Sequence, residues 1–588
     1  MTKISLQLIL IVLSATAVSG RSPSFQTFLN PIIPGDHPDC TLTRIGNDFY
    51  TTGSSFATTP IIYHSTDLVH WEAISQPVRN NWALFGTNPA DGCWGGHLVL
   101  YNGKYWHFFG RAARMYFVTA DSPYGPWSSP PKEIICPTQV PGLGMDNSIF
   151  IDDDGSWYLL VKNGQSNNWI VQLGPDGQPA GAILNLCWIN PAPNYPFSWA
   201  EGPVMWKHNG WYYYSFAIHI YATQRIFRSR TLTGDQAAWE YLGNFFNETD
   251  PKKGGSLYNL PNHCSPAVKL DDGSWWVMYH SFGTEEWRGL GRQGLLSQVR
   301  YDAADKPVAD FPINEPMAAP NLPGSGIPWM VPKSDFFESE RLNPEWRLLG
   351  YCPAVNYSLT ERPGWIRLLP KNKHNTVIKN DAEHNYALIT RLDFDPQSPQ
   401  EEAGIRIMTG LQNLSAKIYS SVNKDGKKVI GFSFDKTLYE TENGIGNVVW
   451  LKLYRLNHQL TGFYSADGTY WTQVGKPINV ATMDVQQPEY NAFTGNKQGL
   501  YVIGRAADFD LYIYRDAYSP ILAECYANQW GVTRLNSKLG YRLLDNIHAG
   551  DWAMYAGVEF GGNDYLKTPD SLKIVASCGS SGGTVEVW

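Results

Sequence analysis

Short runs of alternating apolar and polar residues, each introduced by a tight turn, dominate the first half of the chain. Asn209-Gly210 followed by the aromatic run Trp211–Phe216 shows the pattern most clearly, because Asn-Gly favours a hairpin turn and aromatic residues favour a strand. This layout occurs five times, and the first aromatic residues of successive copies are 52 to 64 residues apart. Such a period predicts propeller blades or a solenoid. The aromatic strands begin at Phe49, Tyr105, Trp157, Trp211 and Trp275.

Five repeats that then stop predict a closed, five-bladed β-propeller, which we place at residues 21–325. In a propeller, equivalent positions of successive blades converge on the central channel. Ten to twelve residues before each aromatic strand lies a side chain that is predicted to face this channel. Three carboxylates, one indole and one imidazole in one ring are typical of a site, not of a ring of solvated charge. These residues are Asp39, Trp94, Asp146, Glu201 and His263.

The hydrophobic pattern changes after residue 325. Ala318–Pro332 is rich in Pro and Gly and indicates a linker, which we place at residues 326–334. Residues 335–520 hold short alternating strands without the fifty-residue period, which predicts an antiparallel β-sandwich. The predicted fold class is therefore all-β, a five-bladed β-propeller followed by a β-sandwich. Residues 521–588 form a short β-like tail.

The first twenty residues predict that the protein is secreted. Lys3 is followed by the apolar stretch Ile4–Leu13 and then by small residues up to Gly20, which is typical of a secretory signal peptide at residues 1–20. The apolar stretch is too short to cross a membrane, and no later stretch is long enough, so no membrane partner is expected. Three sequons for N-glycosylation, which fit a secreted product, lie at Asn247, Asn356 and Asn413.

Composition and charge exclude several classes of partner and site. With 43% hydrophobic and 14% aromatic residues, the chain is globular and not disordered. A formal charge of -8 gives no basis for binding nucleic acid or an anionic membrane. None of the eight cysteines shows Cys-x-x-Cys spacing, which argues against a zinc site. Cys40, Cys93 and Cys264 each adjoin one of the five convergent residues, so one disulfide near the channel is an open alternative.

Two local motifs are interpreted as structural. Gly289–Gly294 fits the G-x-G-x-x-G pattern of dinucleotide-binding proteins, but no strand-helix-strand unit surrounds it, so we reject that function. Asp152–Gly155 lacks the alternating ligands and the closing Glu of a calcium loop, and it predicts a hairpin turn instead. No Gly-x-Ser-x-Gly motif occurs in residues 21–520, which argues against a serine hydrolase.

The residues around the convergent acids resemble glycoside hydrolase family 43. Pro34–Asp39 is similar to the first-blade motif of that family, Met145–Phe150 to its third-blade motif and Trp199–Pro203 to its fourth-blade motif. Ser54-Ser55-Phe56, together with Ile61–Trp71, resembles the β-xylosidase and α-L-arabinofuranosidase branch. The resemblance covers the whole propeller and implies the same five-bladed fold.

The resemblance continues beyond the propeller, with departures. Residues 335–520 resemble the concanavalin A-like domain that follows in β-xylosidases of this family, and the tail is similar to the first half of a family 6 carbohydrate-binding module. Within the propeller, Cys40 stands where the family usually has a second Pro. Gly95-Gly96 follows Trp94 where Ala-Pro is usual, which puts the local shape of the pocket in question.

The resemblance implies a hydrolase that cleaves glycosidic bonds with inversion at the anomeric carbon. Asp39 is the implied general base, Glu201 the implied general acid and Asp146 the residue that orients the acid. An anionic Asp146 would raise the pKa of Glu201 and keep it protonated. In the other implied roles Phe56 and Trp94 wall the sugar site, Arg292 holds a sugar hydroxyl, and His263 lies near a channel site that calcium or a buried water occupies.

The implied substrates are xylo- and arabino-oligosaccharides or polysaccharides such as xylan and arabinoxylan, from which terminal xylose or L-arabinofuranose is released without a required cofactor. An endo-arabinanase and a non-catalytic sugar-binding propeller are the two alternatives. The appended sandwich favours exo-action, because a domain in this position usually closes one end of the cleft. Three acids at matching positions of the repeat argue against a non-catalytic propeller.

Overall fold

The computed structural model describes residues 27–56, 58–86, 92–189, 199–218, 223–249, 256–283, 285–329, 334–371, 374–409, 414–485, 494–536, 542–562, 564–578 and 583–587. The predicted signal peptide, the sequon at Asn413 and residues 330–333 of the predicted linker lie outside the described residues. Short helices lie at Gln236–Ala238, Glu285–Leu290 and Ala481–Asp484. In the described part of the chain, no helix is long and apolar enough to cross a membrane.

Five antiparallel sheets succeed one another along residues 41–309 and form the blades of the predicted propeller. The fold class predicted from the sequence is therefore confirmed. The strands are Thr41–Ile45, Asp48–Thr52, Ile62–Ser65 and Glu72–Ser75 in blade one; Trp94–Tyr101, Lys104–Arg111, Arg114–Ala120 and Lys132–Glu133 in blade two; Ser148–Ile151, Trp157–Asn163, Asn167–Leu173 and Pro179–Asn185 in blade three; Ala200–His208, Trp211–Ile218, Thr223–Ser229 and Glu240–Asn244 in blade four; and Tyr258–Asn262, Val268–Lys269, Trp275–Gly283, Arg292–Tyr301 and Pro307–Ala309 in blade five.

The recurrent turn joins the innermost strand of each blade to the aromatic strand beside it. In blade four, Asn209-Gly210 forms this turn, and His208 pairs with Trp211 across it. Both turn residues have positive φ angles, 48° and 73°, a conformation that Asn and Gly adopt at low cost. In blade three, Asp152–Gly155 forms the corresponding turn, as predicted from the sequence.

The apolar faces of neighbouring blades pack together, and the first and last parts of the propeller meet. The two-stranded pair Thr27–Phe28 and Met317–Ala318 joins the beginning of the described chain to the segment that follows blade five. Phe28 is fully buried and its ring lies 6.3 Å from that of Trp276. Aromatic contacts of this kind bury large apolar areas, so they stabilise the closed ring.

The second domain is a sandwich of two seven-stranded antiparallel sheets. It packs on blade one, where the side-chain amides of Gln76 and Asn80 donate to the backbone carbonyls of Pro344 (2.8 Å) and Leu348 (2.9 Å). One sheet, in spatial order, has the strands Arg347–Leu348, His374–Asn380, Lys497–Ile503, Glu402–Met408, Ser415–Val422, Lys428–Phe434 and Thr437–Glu442; the other has Tyr357–Ser358, Ile366–Leu368, Ala507–Phe509, Asn385–Asp393, Val448–Leu456, Gln459–Ser465 and Thr472–Asn479.

The tail packs on both domains through a few residues. Tyr565 is 1% exposed, and its ring lies 6.2 Å from that of Trp450 in the sandwich. The Asn528 amide donates to the backbone carbonyl of Thr27 over 3.0 Å. The described tail strands form two separate pairs, Asn528–Trp530 with Trp552–Met554 and Thr533–Asn536 with Arg542–Asp545.

Candidate active site

A left-handed residue occurs at the same point of every blade, at the channel end of the innermost strand. In blades one, three and five this residue is Asp39, Asp146 and His263, with φ angles of 55°, 60° and 52°. In blades two and four it is Gly95 and Gly202, both with φ of 60°. The equivalence expected from the sequence was therefore wrong by one residue in two blades. Trp94 and Glu201 precede the equivalent positions, because an irregularity in strand register follows each of them.

The two glycines make room for the site. A Cβ atom on Gly95 would lie 2.7 Å from the Asp146 Cα, and one on Gly202 would overlap the His263 ring. Positive φ also favours glycine at both positions. At these two positions the side chain of the next blade, Asp146 or His263, occupies the space that the glycine leaves.

Asp39 is buried and held on both carboxylate oxygens. The Ser54 hydroxyl donates to Oδ2 over 2.5 Å, and the Arg292 guanidinium donates to Oδ1 over 2.6 Å. Ser54 in turn accepts the backbone N–H of Gly95 (2.6 Å), and the Asp39 N–H donates to Nδ1 of His280 (2.9 Å). These contacts fix the carboxylate, leaving little rotational freedom.

The surroundings of Asp39 keep it ionised. Burial alone disfavours the carboxylate, but the Arg292 guanidinium, followed by the His263 imidazole, outweighs burial and holds the pKa of Asp39 well below its usual range. A carboxylate of this kind can accept a proton only as a transient step. It therefore has the charge state that a general base needs at neutral pH.

Asp146, Glu201 and His263 form a second cluster beside Asp39. Their ligand-type oxygen and nitrogen atoms all lie within 4.8 Å of one another. His263 Nε2 is 3.6 Å from Asp39 Oδ1 and 3.9 Å from Asp146 Oδ2, so the imidazole bridges the two aspartates. Asp146 and His263 are buried, whereas Glu201 is half-buried. Of the three acids, Glu201 is therefore the most accessible to a substrate.

Burial and neighbouring charges raise the pKa values of both buried members of this cluster, Asp146 and His263. Burial, with the Asp39 and Glu201 carboxylates adding to it, raises the pKa of Asp146 to about 7. Burial lowers the pKa of His263, but the Asp39 and Asp146 carboxylates outweigh it and raise that pKa to about 9. At neutral pH the cluster therefore holds an imidazolium beside an aspartate that is near its midpoint. The sequence interpretation treated Asp146 only as an anion that acts on Glu201, and burial gives it a titration of its own.

Phe56 and Trp94, the predicted walls of the sugar site, lie beside Arg292, the predicted binder of a sugar hydroxyl. The rings of Phe56 and Trp94 meet edge to face with centroids 5.3 Å apart. The Arg292 guanidinium carbon lies 5.6 Å from the centroid of Phe56. Arg292 also contacts the general-base candidate directly, which the predicted role of binding a sugar hydroxyl did not include.

A cavity of about 10 Å³ lies between Asp39, Asp146, His263 and the two glycines. Among the described residues, Asp146 Oδ1 and His263 Nε2 have no hydrogen-bond partner, so the cavity offers one acceptor and one donor. This volume and these groups suit one water molecule. The volume fits calcium poorly, because Ca²⁺ takes six to eight oxygen ligands.

Cys40 and Cys264 also line this cavity. Together with Cys93 they are buried, unpaired thiols, so the alternative of a disulfide near the channel is wrong. Burial raises the pKa of all three, which leaves them protonated and unreactive.

Two residues of the site were not assigned from the sequence, Ser54 and His280. Ser54 was part of the Ser-Ser-Phe resemblance, but a single serine carries no signal that it binds a carboxylate. His280 lies in the middle of the aromatic strand of blade five and is 4% exposed. The alternation of apolar and polar residues along this strand indicated only that the His280 side chain is buried. Ser54 is 15 residues from Asp39 in sequence and His280 is 241 residues away. Their contacts with Asp39 depend on the fold, so the sequence does not show them.

Replacing Asp146 by asparagine is expected to move the alkaline limb of the pH–activity profile to lower pH by about one unit. A carboxylate at Asp146 lies within 4.8 Å of Glu201 and disfavours a second negative charge there. The neutral amide of asparagine removes this repulsion. The measurement is kcat/KM against pH. Asp154→Asn, in an exposed turn of the same blade, is the control, and an unmoved limb in Asp146→Asn would contradict the expectation.

Two family models match the chain. The family model "Glycosyl hydrolases family 43" matches residues 28–307, and the model "Beta xylosidase C-terminal Concanavalin A-like domain" matches residues 334–515. Both matches end before the tail, so its likeness to a carbohydrate-binding module stays a prediction.

Relatives match along most of their length. The chain is 31% identical over 552 residues to Xylosidase/arabinosidase 43B of Humicola insolens, covering 84% of this chain and 98% of that protein. It is 28% identical over 555 residues to a non-reducing end alpha-L-arabinofuranosidase of Bacteroides ovatus, covering 86% and 98%. A crystal structure of a xylan beta-1,4-xylosidase from Bacillus halodurans shares the fold with a TM-score of 0.71 at 22% identity, covering 83% and 100%. The chain therefore belongs to glycosyl hydrolases family 43 and is a glycoside hydrolase.

Proposed function

We propose that the protein is a secreted, inverting exo-glycosidase that releases terminal xylose or L-arabinofuranose from hemicellulose oligosaccharides. Asp39 acts as the general base in this proposal, Glu201 as the general acid, and Asp146 adjusts the proton affinity of the acid. The observation that carries the proposal is the division of charge in the site. Arg292 holds one carboxylate ionised, while Asp146 and Glu201 lie close together beside His263.

This division suits a single displacement. Asp39 would take a proton from a water molecule as the water attacks the anomeric carbon, and Glu201 would give its proton to the departing glycosidic oxygen. Each carboxyl group then ends in the other's initial protonation state, and exchange with solvent restores both. The imidazolium of His263, between the aspartates, limits their mutual repulsion. The proposed reaction needs no cofactor, because side chains make both proton transfers.

The substrate assignment rests on relatives and on the shape of the site. The relatives are named for xylose and arabinose, and the half-buried Trp94 ring, which packs on the buried Phe56, offers apolar surface for one face of a sugar. The sandwich packs beside the loop that carries Asp39, which favours a site closed on one side and hence exo-action. Secretion is supported by Lys3, the apolar stretch Ile4–Leu13 and the small residues before Gly20.

The test is hydrolysis of a panel of substrates by the purified protein. The panel consists of aryl β-xylosides, aryl α-L-arabinofuranosides, xylo-oligosaccharides, arabinoxylan oligosaccharides and linear arabinan. We expect free xylose or arabinose as the first product, with the sugar at the non-reducing end removed. Internal cleavage of arabinan without monosaccharide would instead identify an endo-arabinanase. Binding of these sugars without any hydrolysis would identify a sugar-binding propeller.

The stereochemistry follows from the same assay. Proton NMR recorded in the first minutes is expected to show the anomer opposite in configuration to the substrate, before mutarotation mixes the two. Inversion is the outcome of direct attack by water, whereas a covalent intermediate would retain configuration. Early appearance of the retained anomer would rule out the single displacement.

A further inference from the structure

We propose that Lys497 of the sandwich is a positioning residue for the catalytic base and acts on Asp39 through Asp36 and Arg292. This inference rests on the proposed role of Asp39. It concerns a part of the chain that lies outside the propeller and does not touch the reacting atoms. The contacts that carry it join residues 461 positions apart in sequence.

Asp36 is the residue on which the two domains meet. It lies in the loop that leads to Asp39, and its Oδ2 is 3.0 Å from the Lys497 ammonium. Both side chains are buried, with 2% and 4% of their surface exposed. Lys497 also donates to Asn380 Oδ1 (3.1 Å), and the Asn380 amide donates to the Asp36 backbone carbonyl (2.7 Å). The sandwich therefore holds Asp36 at its side chain and at its backbone.

The other oxygen of Asp36 holds the backbone of Arg292. Asp36 Oδ1 accepts the Arg292 N–H over 3.2 Å, and the Arg292 carbonyl accepts the N–H of His37 over 2.8 Å. From this fixed backbone the Arg292 side chain extends to Asp39 Oδ1, 2.6 Å away. Arg292, the first residue of the strand Arg292–Tyr301, is thus bonded to both ends of the loop from Asp36 to Asp39. A displacement of Asp36 would be passed to the guanidinium that keeps Asp39 ionised.

The Gly289–Gly294 motif, rejected above as a dinucleotide-binding site, lies where the propeller contacts the sandwich near Lys497. Gly289 accepts the Asn496 N–H at its carbonyl over 2.7 Å, and a Cβ on Gly291 would lie 2.8 Å from the Cα of Gly495 and would overlap the Asp36 carboxylate. Gly291 also has a φ of 79°. The motif therefore serves close backbone approach between the two domains, not phosphate binding.

Lys497 is itself held firmly in the sandwich. It begins the strand Lys497–Ile503, which lies between two other strands of its sheet. Just before it, the Asn496 carbonyl accepts the N–H of Asp381 (3.0 Å), and the Asp381 side chain accepts from Gln498 (2.9 Å) and Arg455 (2.9 Å). This buried network gives Lys497 a rigid base from which to hold the propeller loop.

Charged groups on several elements bear on the two aspartates. The groups facing Asp36 are Lys497 and Arg347 from the sandwich and His37 from its own loop. The groups facing Asp39 are Arg292, His263 and His280 from blade five, His37 from its own loop, Ser54 from blade one and Asp146 from blade three. Since Lys497 does not contact Asp39, removing it acts on that residue through the position of Arg292 and through the uncompensated charge left on Asp36. Both effects make Asp39 easier to protonate.

The test uses the full-length protein with Lys497→Met, Lys497→Arg and a matched control, Lys379→Met. Lys379 is a buried lysine of the same sandwich, 2.9 Å from Glu345. We expect Lys497→Met to lower kcat about 10- to 100-fold, since a displacement of about 1 Å can cost 100-fold. We also expect the acid limb of kcat/KM to move up by about one pH unit. Lys497→Arg should recover most of both effects, and Lys379→Met should leave the acid limb in place.

A crystal structure of Lys497→Met separates this proposal from the proposed function. We expect the Arg292 guanidinium to have moved away from Asp39, whichever sugar the enzyme prefers. An unchanged 2.6 Å contact together with an unmoved acid limb would overturn the proposal. If Lys497→Met does not fold, Lys497→Gln, which keeps a donor without a charge, takes its place with the same expectations. A wild-type protein that hydrolyses no pentoside would contradict the function but not the positioning contact.

Discussion

Asp39→Ala is expected to lower kcat by about 1000-fold or more on oligosaccharides and on activated aryl glycosides alike. The base activates the attacking water, and that step is needed whatever the leaving group is. Asp39 is the carboxylate best suited to this step, because Ser54 and Arg292 fix its two oxygens and keep it ionised. The measurement is kcat and kcat/KM on an aryl pentoside and on the corresponding oligosaccharide.

Loss of the Asp39 charge also leaves Arg292 and His263 buried with one partner fewer. Breaking a buried pair in this way costs about 3–5 kcal/mol, so circular dichroism and thermal unfolding must show that the variant is folded. Asp39→Asn keeps the shape of the side chain and should show a similar loss of activity. Asp271→Ala, at a highly exposed carboxylate that pairs with Arg44, is the control. A folded Asp39→Ala enzyme within tenfold of wild type would contradict the role of base.

Glu201→Ala is expected to lower activity on oligosaccharides by about 1000-fold, but activity on a dinitrophenyl glycoside by less than about tenfold. A sugar leaving group needs a proton to depart, whereas dinitrophenolate departs without one. Glu201 is the half-buried acid of the site, whereas Asp146 and His263 beside it are buried. The measurement compares kcat/KM of the same variant on the two substrates.

Glu240→Ala is the matched control for Glu201→Ala. Glu240 lies on the outermost strand of the same blade, with 46% of its side chain exposed, and should leave both substrates unaffected. Glu201→Gln should behave like Glu201→Ala, because an amide cannot donate an acidic proton. Equal losses on the two substrates would show that Glu201 is needed for the fold or for the base step and not for protonating the leaving group.

The propeller could be predicted from the sequence because its signal is local. A turn such as Asn209-Gly210 and the aromatic strand after it lie within ten residues, and the same pattern returns in every blade. Counting back from each aromatic strand located the channel-facing residues less accurately. Trp94 and Glu201 fall one residue before the positions taken by Asp39, Asp146 and His263. Irregular strand register in blades two and four causes this shift, and a count along the chain does not show it.

The electrostatics of the site could not be predicted in the same way. A sequence shows that Asp146 and Glu201 lie at similar points of successive repeats, but the direction in which a pKa moves depends on burial and on neighbours from other blades. Asp146 titrates near 7 because it is buried beside Asp39 and Glu201, which come from blades one and four. The ion pair between Lys497 and Asp36 could not be predicted from a local sequence pattern, because it joins two domains.

The most direct test of the proposed mechanism is the dependence of rate on the leaving group in Asp39→Ala and Glu201→Ala, measured side by side. A series of aryl glycosides of the preferred pentose, graded by the pKa of the phenol, supplies the leaving groups. We expect the rate of Glu201→Ala to fall steeply as that pKa rises, and the rate of Asp39→Ala to be low throughout with a shallow dependence. Equal slopes in the two variants, or a steep slope in Asp39→Ala alone, would contradict the assignment of base and acid.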